Sequence, residues 1–200
     1  MISYAIFHKD MRPISIAPLE HDVEQMRRVA AGEEAALREL YAAYGQRLYA
    51  YALRLTGEPA MAEDVVQEAL IVIWRSAKRY RAEGRLIAWL LGIVHHTALN
   101  AMRRRSVPLS DEMEESLPAS AGSPEAQAQA SQQAQWVREG LRSLSPDHRA
   151  VLELVFYQGL SLEEVSKVCR CPLGTVKSRL SYARQHLRGI LSRQNMEDWR

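Results

Sequence analysis

Cysteine is scarce in this chain: only Cys169 and Cys171 occur among its 200 residues. Two cysteines cannot form a disulfide framework, which fits a reducing compartment. A metal site needs three or four ligands, and the sequence contains no second cysteine pair and no histidine motif that could supply the missing ligands. We therefore expect no metal and no cofactor, and we predict that Cys169 is a small core residue and Cys171 part of a turn.

Long apolar runs are also lacking. No stretch approaches the roughly 18 consecutive apolar residues that a membrane-spanning helix needs. The N-terminal residues "MISYAIFHKDMRP" lack the basic start and long apolar core of a secretion signal. We expect a cytoplasmic protein without membrane insertion.

The familiar catalytic motifs are absent too. The chain contains no H-E-x-x-H, G-x-S-x-G or G-x-x-x-x-G-K-[ST]. The neighbouring His95 and His96 would point about 100° apart on a helix, so they cannot easily share a metal. We expect no enzyme.

Strand signals are weak, because phenylalanine occurs only twice and no segment alternates convincingly between apolar and polar residues. Segments such as "AALRELYAAYGQRLYAYALRL" are rich in residues that favour helix. The prediction is an all-α protein of two small helical domains joined by a flexible linker. The expected divisions are an N-terminal extension (1–21), a first domain (22–105), a linker (106–132), a second domain (133–192) and a tail (193–200).

The linker stands out by composition. Residues 106–135 hold five acidic residues and no lysine or arginine, whereas residues 136–200 hold eleven basic against seven acidic residues. The prolines and small polar residues of the linker cannot bury enough surface to fold alone. The basic excess of the last segment suggests a polyanionic partner, although a solvated helical surface would look similar.

One predicted helix of the first domain has an unusual outer stripe. In "MAEDVVQEALIVIWRSAKRY" the apolar residues share one face and predict the core side. Asp64, Gln67, Glu68 and Ile71 share the opposite face. An isoleucine among charged residues favours a contact surface, but spacing alone leaves a merely solvated face equally open.

The second domain ends in a helix-turn-helix pattern. Ser161 and Glu164 predict a capping box at the start of one helix. Pro172 and Gly174 predict its end, and Thr175 is expected to cap the next helix. The outer face of that last helix is small, polar and basic, which suits approach to base edges and phosphates.

The segment "DHRAVLELVFYQGLSLEEVSKVCRCPLGTVKSRLSYARQHLRGIL" resembles region 4 of bacterial sigma factors, and "AEDVVQEALIVIWR" and "RLIAWLLGIVHHTALNAMRRR" resemble their region 2. Both regions occur in the right order around a linker of suitable length. The chain has no room for the further domains of housekeeping sigma factors, so it is identified as a member of the extracytoplasmic-function (ECF) group. The resemblance implies core RNA polymerase (its β′ clamp helices and β flap), promoter DNA and an anti-sigma factor as partners.

The resemblance also implies roles for individual residues. Candidates for docking on the polymerase clamp helices are Asp64, Gln67, Glu68 and Ile71. Candidates for melting and contacting the minus-ten promoter element are Tyr80, Arg81, Arg85, Asn100, Arg103, Arg104 and Arg105. Candidates for contacting the minus-thirty-five element are Thr175, Lys177, Ser178, Arg179, Ser181, Tyr182, Arg184 and Arg188. The acidic linker resembles the segment that threads toward the polymerase active site through the RNA exit channel.

This sequence departs from the family pattern at several positions. Leu86, His95, His96 and Asn100 replace the usual Phe, Arg, Asn and Asp, and Cys169-Arg170 replaces Leu-Gly at the turn. Two other interpretations stay open: an ordinary helix-turn-helix regulator with a helical dimerisation or sensing domain, and a Cys/His metal sensor. The outer stripe and the acidic linker favour the sigma factor, since a regulator has no use for either.

Overall fold

The computed structural model describes residues 20–106 and 140–197, with side chains for 20–105 and 140–190. Its helices in chain order are α1 (Glu20–Ala30), α2 (Glu34–Thr56), α3 (Pro59–Ser76), a 3-10 helix (Ala77–Arg79), α4 (Leu86–Ser106), α5 (Pro146–Phe156), α6 (Leu162–Cys169) and α7 (Leu173–Glu197). The predicted all-α fold is confirmed. No helix in the described ranges has the length and apolar character needed to cross a bilayer. The extension before residue 20 and nearly all of the predicted linker lie outside the described residues.

The first domain comprises α1–α4, and its turns form where glycine is available. Gly57 ends α2 with φ 78°, and its N–H donates to the carbonyl of Leu53 at 2.7 Å. Gly32 follows α1 with φ 90°. Glycine adopts this left-handed conformation without the penalty that a Cβ imposes. Each glycine therefore permits the chain to turn directly after a helix.

The apolar faces of α3 and α4 form the centre of the first domain. Val65, Ala69 and Ile73 of α3 are buried, as are Leu86 and Leu90 of α4. Helices α2, α3 and α4 pack against one another, and α1 lies across α2 and α3. The predicted core face of α3 is confirmed, and the remaining face of α3 is thereby directed to solvent.

The second domain is built from α5, α6 and α7. Ser161 Oγ accepts from the Glu164 N–H at 3.1 Å, and the Glu164 carboxylate accepts from the Ser161 N–H at 2.8 Å, so the predicted capping box is present. Helix α6 ends at Cys169, and Arg170 follows in the left-handed conformation with φ 49°. A non-glycine residue there costs roughly 1 kcal/mol relative to glycine.

The prediction that Thr175 caps the last helix is wrong. Helix α7 begins at Leu173, because the Pro172 carbonyl already accepts from the N–H groups of Thr175 (2.9 Å) and Val176 (3.1 Å). Gly174 consequently lies inside the first turn instead of in a break before it. The helix also continues to Glu197, beyond the predicted boundary at 192, since no glycine or proline interrupts residues 191–197.

The two domains pack directly against each other. Helix α6 lies on α4, and α5 lies near α2. One cluster of buried apolar side chains runs through both domains. A Cβ added to Gly92 of α4 would lie 3.8 Å from Cα of Val168 in α6, so the two helices meet closely here.

A buried arginine from the second domain joins the domains at their polar edge. Arg149 donates to the carbonyls of Leu55 (3.1 Å) and Arg54 (3.4 Å) at the end of α2. It also donates to Leu141, at 2.8 Å, and to two further carbonyls of its own domain. The last carbonyls of a helix have no partner within the helix, so this guanidinium satisfies groups that would otherwise be buried unpaired.

Candidate polymerase and nucleic-acid interfaces

The outer stripe of α3 comprises Asp64, Gln67, Glu68 and Ile71, hereafter the α3 stripe. All four side chains are exposed, and Ile71 is 51% exposed. The neighbouring Val72 is also exposed, which widens the apolar centre. An apolar centre with a polar rim is the usual composition of a protein-binding patch. The geometry is therefore suited to the docking role implied by the resemblance.

The segment between the 3-10 helix and α4 holds three minus-ten candidates. Tyr80 packs edge-on against Trp89 with ring centroids 5.4 Å apart, and burial raises its pKa. Arg81 is exposed. Ala82 has φ 55°, a conformation that non-glycine residues adopt at a cost. The segment thus presents a half-buried aromatic ring beside a cation on a strained backbone.

Arg85, the third candidate in this segment, does not face solvent. Its Nε and Nη2 donate to the two carboxylate oxygens of Glu164, each at 2.7 Å, and Nη2 also donates to the Gly159 carbonyl at 2.8 Å. Burial alone would raise the pKa of Glu164, but the hydrogen bonds from Arg85 and from the Ser161 backbone outweigh it and hold the pKa below its usual value. The second domain thus occupies this arginine.

The end of α4 forms an exposed basic cluster of Arg103, Arg104 and Arg105, joined by Asn100. Asn100 accepts a hydrogen bond from Arg103, and Arg105 pairs with Glu58. Arg104 pairs with Glu68 of the α3 stripe at 3.0 Å. Exposed pairs of this kind are worth less than about 1 kcal/mol and exchange readily for phosphates.

The predicted minus-thirty-five face lies on α7 and is mostly accessible. Its exposed members are Lys177, Ser178, Ser181, Tyr182, Arg184 and Arg188. Two candidates differ: Thr175 is half-buried in the first turn, and Arg179 is half-buried against Asp147 at 2.5 Å. Arg179 also approaches Sγ of Cys171 at 3.9 Å. In this arrangement Arg179 stabilises the turn and is not presented to a ligand.

Sequence reasoning missed an aromatic stack on this face. Tyr182 is 53% exposed, and its ring centroid lies 4.5 Å from that of His148 of α5 and 6.1 Å from that of His186 of α7. Ser145 bonds His148 at 2.6 Å and Ser143 bonds His186 at 2.8 Å, so both imidazoles are fixed in position. The spacing of Tyr182 and His186 could have revealed half of this stack, but His148 belongs to another helix.

His95, His96, Cys169 and Cys171 lie near the contact between the domains, and of these His95 is buried while the other three are half-buried. His95 is almost fully buried, and its Nδ1 lies 2.8 Å from the hydroxyl of the buried Tyr51. Burial, together with His96, lowers the pKa of His95 to about 4. Burial raises the pKa of Cys169 to about 12, so its thiol is a poor nucleophile. Within the described ranges, no three His, Cys, Asp or Glu residues are grouped to hold a metal.

A charged pair beside Arg149 was also missed. Glu153 is fully buried in α5, and its Oε2 accepts from Arg54 of α2 at 3.0 Å. Burial raises the pKa of Glu153, although Arg54 and Arg149 oppose the shift. In the sequence Glu153 is one acid in an apolar run, and nothing local indicates a partner 99 residues away.

Comparison with known families assigns both domains. Residues 40–107 match the family model for Sigma-70 region 2, and residues 140–189 match that for Sigma-70 region 4. The region 2 match covers the α3 stripe and α4, and the region 4 match covers α5–α7 up to Gly189. The ordinary helix-turn-helix regulator is thereby disfavoured, because region 2 belongs to sigma factors.

Curated relatives and solved structures agree. The chain is 34% identical over 174 residues to the ECF RNA polymerase sigma factor SigE of Mycolicibacterium smegmatis, covering 84% of this chain and 67% of the relative. It is 35% identical over 168 residues to SigL of Mycobacterium tuberculosis, covering 80% and 90%. The sigma factor RpoE of Bartonella quintana, solved with the anti-sigma factor NepR, is 29% identical with a TM-score of 0.61, covering 78% of this chain and 96% of that one. CnrH, solved with the cytosolic domain of CnrY, shares the fold with a TM-score of 0.63 at 23% identity, covering 86% and 98%.

The alignments with SigE and SigL cover 80% or more of this chain, and the matches to region 2 and region 4 follow each other along it. The chain therefore belongs to the ECF RNA polymerase sigma factors, which bind core RNA polymerase and direct promoter recognition in transcription initiation.

Proposed function

We propose that the α3 stripe is the surface by which this chain docks on the clamp helices of the polymerase β′ subunit. The observation that carries this assignment is Ile71, exposed among Asp64, Gln67 and Glu68 on a helix whose other face is buried. The stripe lies opposite the core, so it is available without any change in the first domain. The second domain would dock on the β flap.

We further propose a division of the DNA contacts between the domains. The segment from Tyr80 to Arg85 and the basic end of α4 would hold the melted minus-ten strand, because an aromatic ring beside several arginines suits unstacked bases and their phosphates. The exposed face of α7 would enter the major groove at the minus-thirty-five element. Tyr182, whose ring contacts those of His148 and His186, is then a preordered contact on that face.

An anti-sigma factor is a further proposed partner. The solved RpoE of Bartonella quintana is in complex with one, and its alignment covers 78% of this chain. We place this chain in the cytoplasm, with polymerase and promoter, and assign it no catalytic role.

Charge reversal in the α3 stripe tests the docking assignment. In Gln67→Ala with Glu68→Lys, we expect binding to core polymerase to fall by one or two powers of ten, because a reversed charge at a contact centre repels the partner. Helical content and melting should stay nearly unchanged, since the ion pair that Glu68 loses is the exposed one with Arg104. Binding is measured by co-elution and by titration with labelled core enzyme.

The matched control is Gln46→Ala with Glu34→Lys, the same two changes at exposed positions of α2. The control should bind like the wild type. Equal loss in both double variants would show that net charge, and not this stripe, governs binding. Loss of folding together with binding in the stripe variant would place these residues in the core.

A further inference from the structure

The exposed face of α7 carries one large apolar side chain among small and charged ones. Tyr182 is the only tyrosine, phenylalanine or tryptophan in this helix. Among the described residues of α7, it is also the only large apolar side chain that is exposed. Its neighbours on the exposed face include Ser178, one turn earlier, and Ser181. The ring of Tyr182 is therefore the main apolar surface that this face offers to a ligand.

Tyr182 contacts an aromatic ring from another helix. The centroid of its ring lies 4.5 Å from that of His148 in α5, and the two planes are tilted by 38°. Aromatic pairs are favourable at centroid distances of about 4.5 to 7 Å. His186, one turn later in α7, lies further away at 6.1 Å. Of the two imidazoles, His148 therefore does more to restrict the rotamers of Tyr182.

His148 is itself held by the serine that begins α5. Ser145 is the N-cap residue, and its Oγ accepts from the backbone N–H of His148. The same Oγ lies 2.6 Å from Nδ1 of the imidazole. His148 is half-buried, whereas the tyrosine that it contacts is exposed. The cap of one helix thus fixes an imidazole that limits the motion of an exposed ring on another helix.

The second imidazole is fixed from the same side. Ser143 donates its single hydroxyl proton to the carbonyl of Gly140 at 2.8 Å. Its Oγ also lies 2.8 Å from Nε2 of His186, where it can only accept, so Nε2 carries a proton. Both imidazoles that contact Tyr182 are therefore tied to serines that precede α5. The position of the ring depends on residues outside α7.

The chemistry of the major groove determines what an exposed ring on this face can bind. Base edges there present hydrogen-bond donors and acceptors, and the methyl group of thymine is the apolar group among them. The exposed Lys177 and Arg184 supply charge for phosphates. The exposed Ser178 and Ser181 supply hydroxyls for polar base edges. The apolar surface of Tyr182 is left to match the thymine methyl.

We propose that Tyr182 reads a thymine methyl in the minus-thirty-five element, and that His148 of α5 is the residue that positions it. The proposal rests on the function proposed above for α7. A ring that is already restrained loses less conformational entropy on binding, so its contact is stronger than that of a freely rotating tyrosine. Base preference then depends on a residue outside the helix that enters the groove.

Four variants, assembled with core polymerase, test the positioning role: His148→Ala, Tyr182→Ala, the double variant and His148→Phe. The DNA is a promoter selected by wild-type holoenzyme from a library randomised at the minus-thirty-five element, and affinity is measured by fluorescence titration. His148→Ala should weaken binding by roughly threefold to tenfold, the cost of immobilising one side chain. Folding should be unaffected, because the N–H that Ser145 caps belongs to the backbone.

The double variant shows whether His148 acts through Tyr182. In the Tyr182→Ala background, His148→Ala should have no further effect on affinity. His148→Phe restores a ring beside the tyrosine and should recover most of the affinity. His21→Ala, which removes an exposed histidine of α1, is the control and should bind like the wild type.

Deoxyuridine in place of each thymine in turn removes only the methyl group. At the position that Tyr182 reads, this replacement should weaken wild-type binding by about fourfold, the value of one buried methyl group. It should have no effect on Tyr182→Ala. Tyr182→Phe should keep the full sensitivity, since the ring and not the hydroxyl makes the contact.

Failure of this inference can be told apart from failure of the proposed function. Additive losses in the double variant, or equal sensitivity to deoxyuridine in the wild type and in Tyr182→Ala, would overturn the inference. If Lys177→Ala still changes the selected minus-thirty-five sequence in that case, the proposed role of α7 stands without it. If neither Lys177→Ala nor Tyr182→Ala changes that sequence, the proposed role of α7 is wrong as well.

Discussion

The two domains differ in how they are stabilised. The first supplies most of the largest fully buried side chains in the described part of the chain: Met26, Leu40, Leu48, Tyr51, Leu55, Ile73, Leu86, Leu90, Leu91 and His95. The second supplies only Leu154 and Glu153 to this group. A small domain buries a smaller fraction of its surface than a large one, so its own core supplies less free energy. The second domain compensates by packing on the first.

The second domain also has a small cluster of buried apolar residues of its own. Leu144, Leu152, Ala183 and Leu187 form it between α5 and α7, apart from the shared core. Val165 and Val168 of α6 and Val176 and Leu180 of α7 belong to the cluster that continues into the first domain. The second domain is therefore stabilised in two ways: by its own small apolar cluster and by the core that it shares with the first domain.

The largest expected effect comes from a cavity in the core that the two domains share. Leu90→Ala removes a fully buried side chain of the shared core. It should lower the free energy of unfolding by about 3 kcal/mol, through lost transfer energy and the cavity left behind. Since both domains pack on this core, amide hydrogen exchange should accelerate in α2–α4 and also in α6.

The matched change in the second domain's own cluster is Leu152→Ala. It should accelerate exchange only in α5 and α7, and it should leave α2–α4 protected. If Leu152→Ala accelerated exchange in α3 as strongly as Leu90→Ala does, the second domain's own cluster would not be separate from the shared core.

Acidification should lower the free energy of unfolding of the first domain, because it protonates His95 in the unfolded chain. Burial lowers the pKa of His95 from 6.5 to about 4. The unfolded chain therefore binds a proton that the folded chain excludes, and stability that is complete above pH 6.5 is lost as the pH falls toward 4. At pH 5 the loss should be about 2 kcal/mol relative to pH 7.5.

Urea unfolding of His95→Gln at both values of pH checks this assignment. The variant is less stable at pH 7.5, because it loses the contact with Tyr51, but its pH dependence should be smaller than that of the wild type by about that amount. His21→Gln, at an exposed position of α1, should keep the full wild-type dependence. An undiminished dependence in His95→Gln would assign the acid sensitivity to other groups.

The smallest expected effects concern the two cysteines of the second domain. Cys169 packs against the shared core, so Cys169→Ser should cost on the order of 1 kcal/mol by placing a hydroxyl in an apolar contact. Cys171 lies in the turn, and Cys171→Ser should change stability by less than about 0.5 kcal/mol. Thermal melts of both variants, with elemental analysis of the wild type, make the comparison. One equivalent of metal lost in Cys171→Ser would revive the metal sensor.

The local features of both domains were predictable because each depends on residues within a turn or two of one another. The capping box needs only Ser161 and Glu164, three residues apart, and both of its bonds form. The outward position of the α3 stripe follows from the 3.6-residue helical repeat. The start of α7 was missed because a proline before a helix can mark either a break or a first turn, and the competing cap, Thr175, looked suitable.

No short-range feature of the sequence predicted which surfaces of the two domains would face each other. Arg85 and Glu164 are 79 residues apart, and each alone suited a different role: a phosphate contact and a helix cap. Arg179 likewise matched a DNA contact by spacing, yet it pairs with Asp147 at the start of α5. Helical periodicity states which face of a helix is apolar, but not which polar groups of another helix will meet it.

The sequence by itself determined the helices, their buried faces, the outward α3 stripe and the helix-turn-helix, because caps and periodicity act over short distances along the chain. Only the tertiary structure decided that α6 lies on α4, that His95 is buried and that Arg85 is occupied. These outcomes depend on the close approach at Gly92 and on carbonyls at the end of α2 that need the buried guanidinium of Arg149. Such requirements arise when two surfaces are brought together in space, and shape and hydrogen-bond complementarity then select the contact.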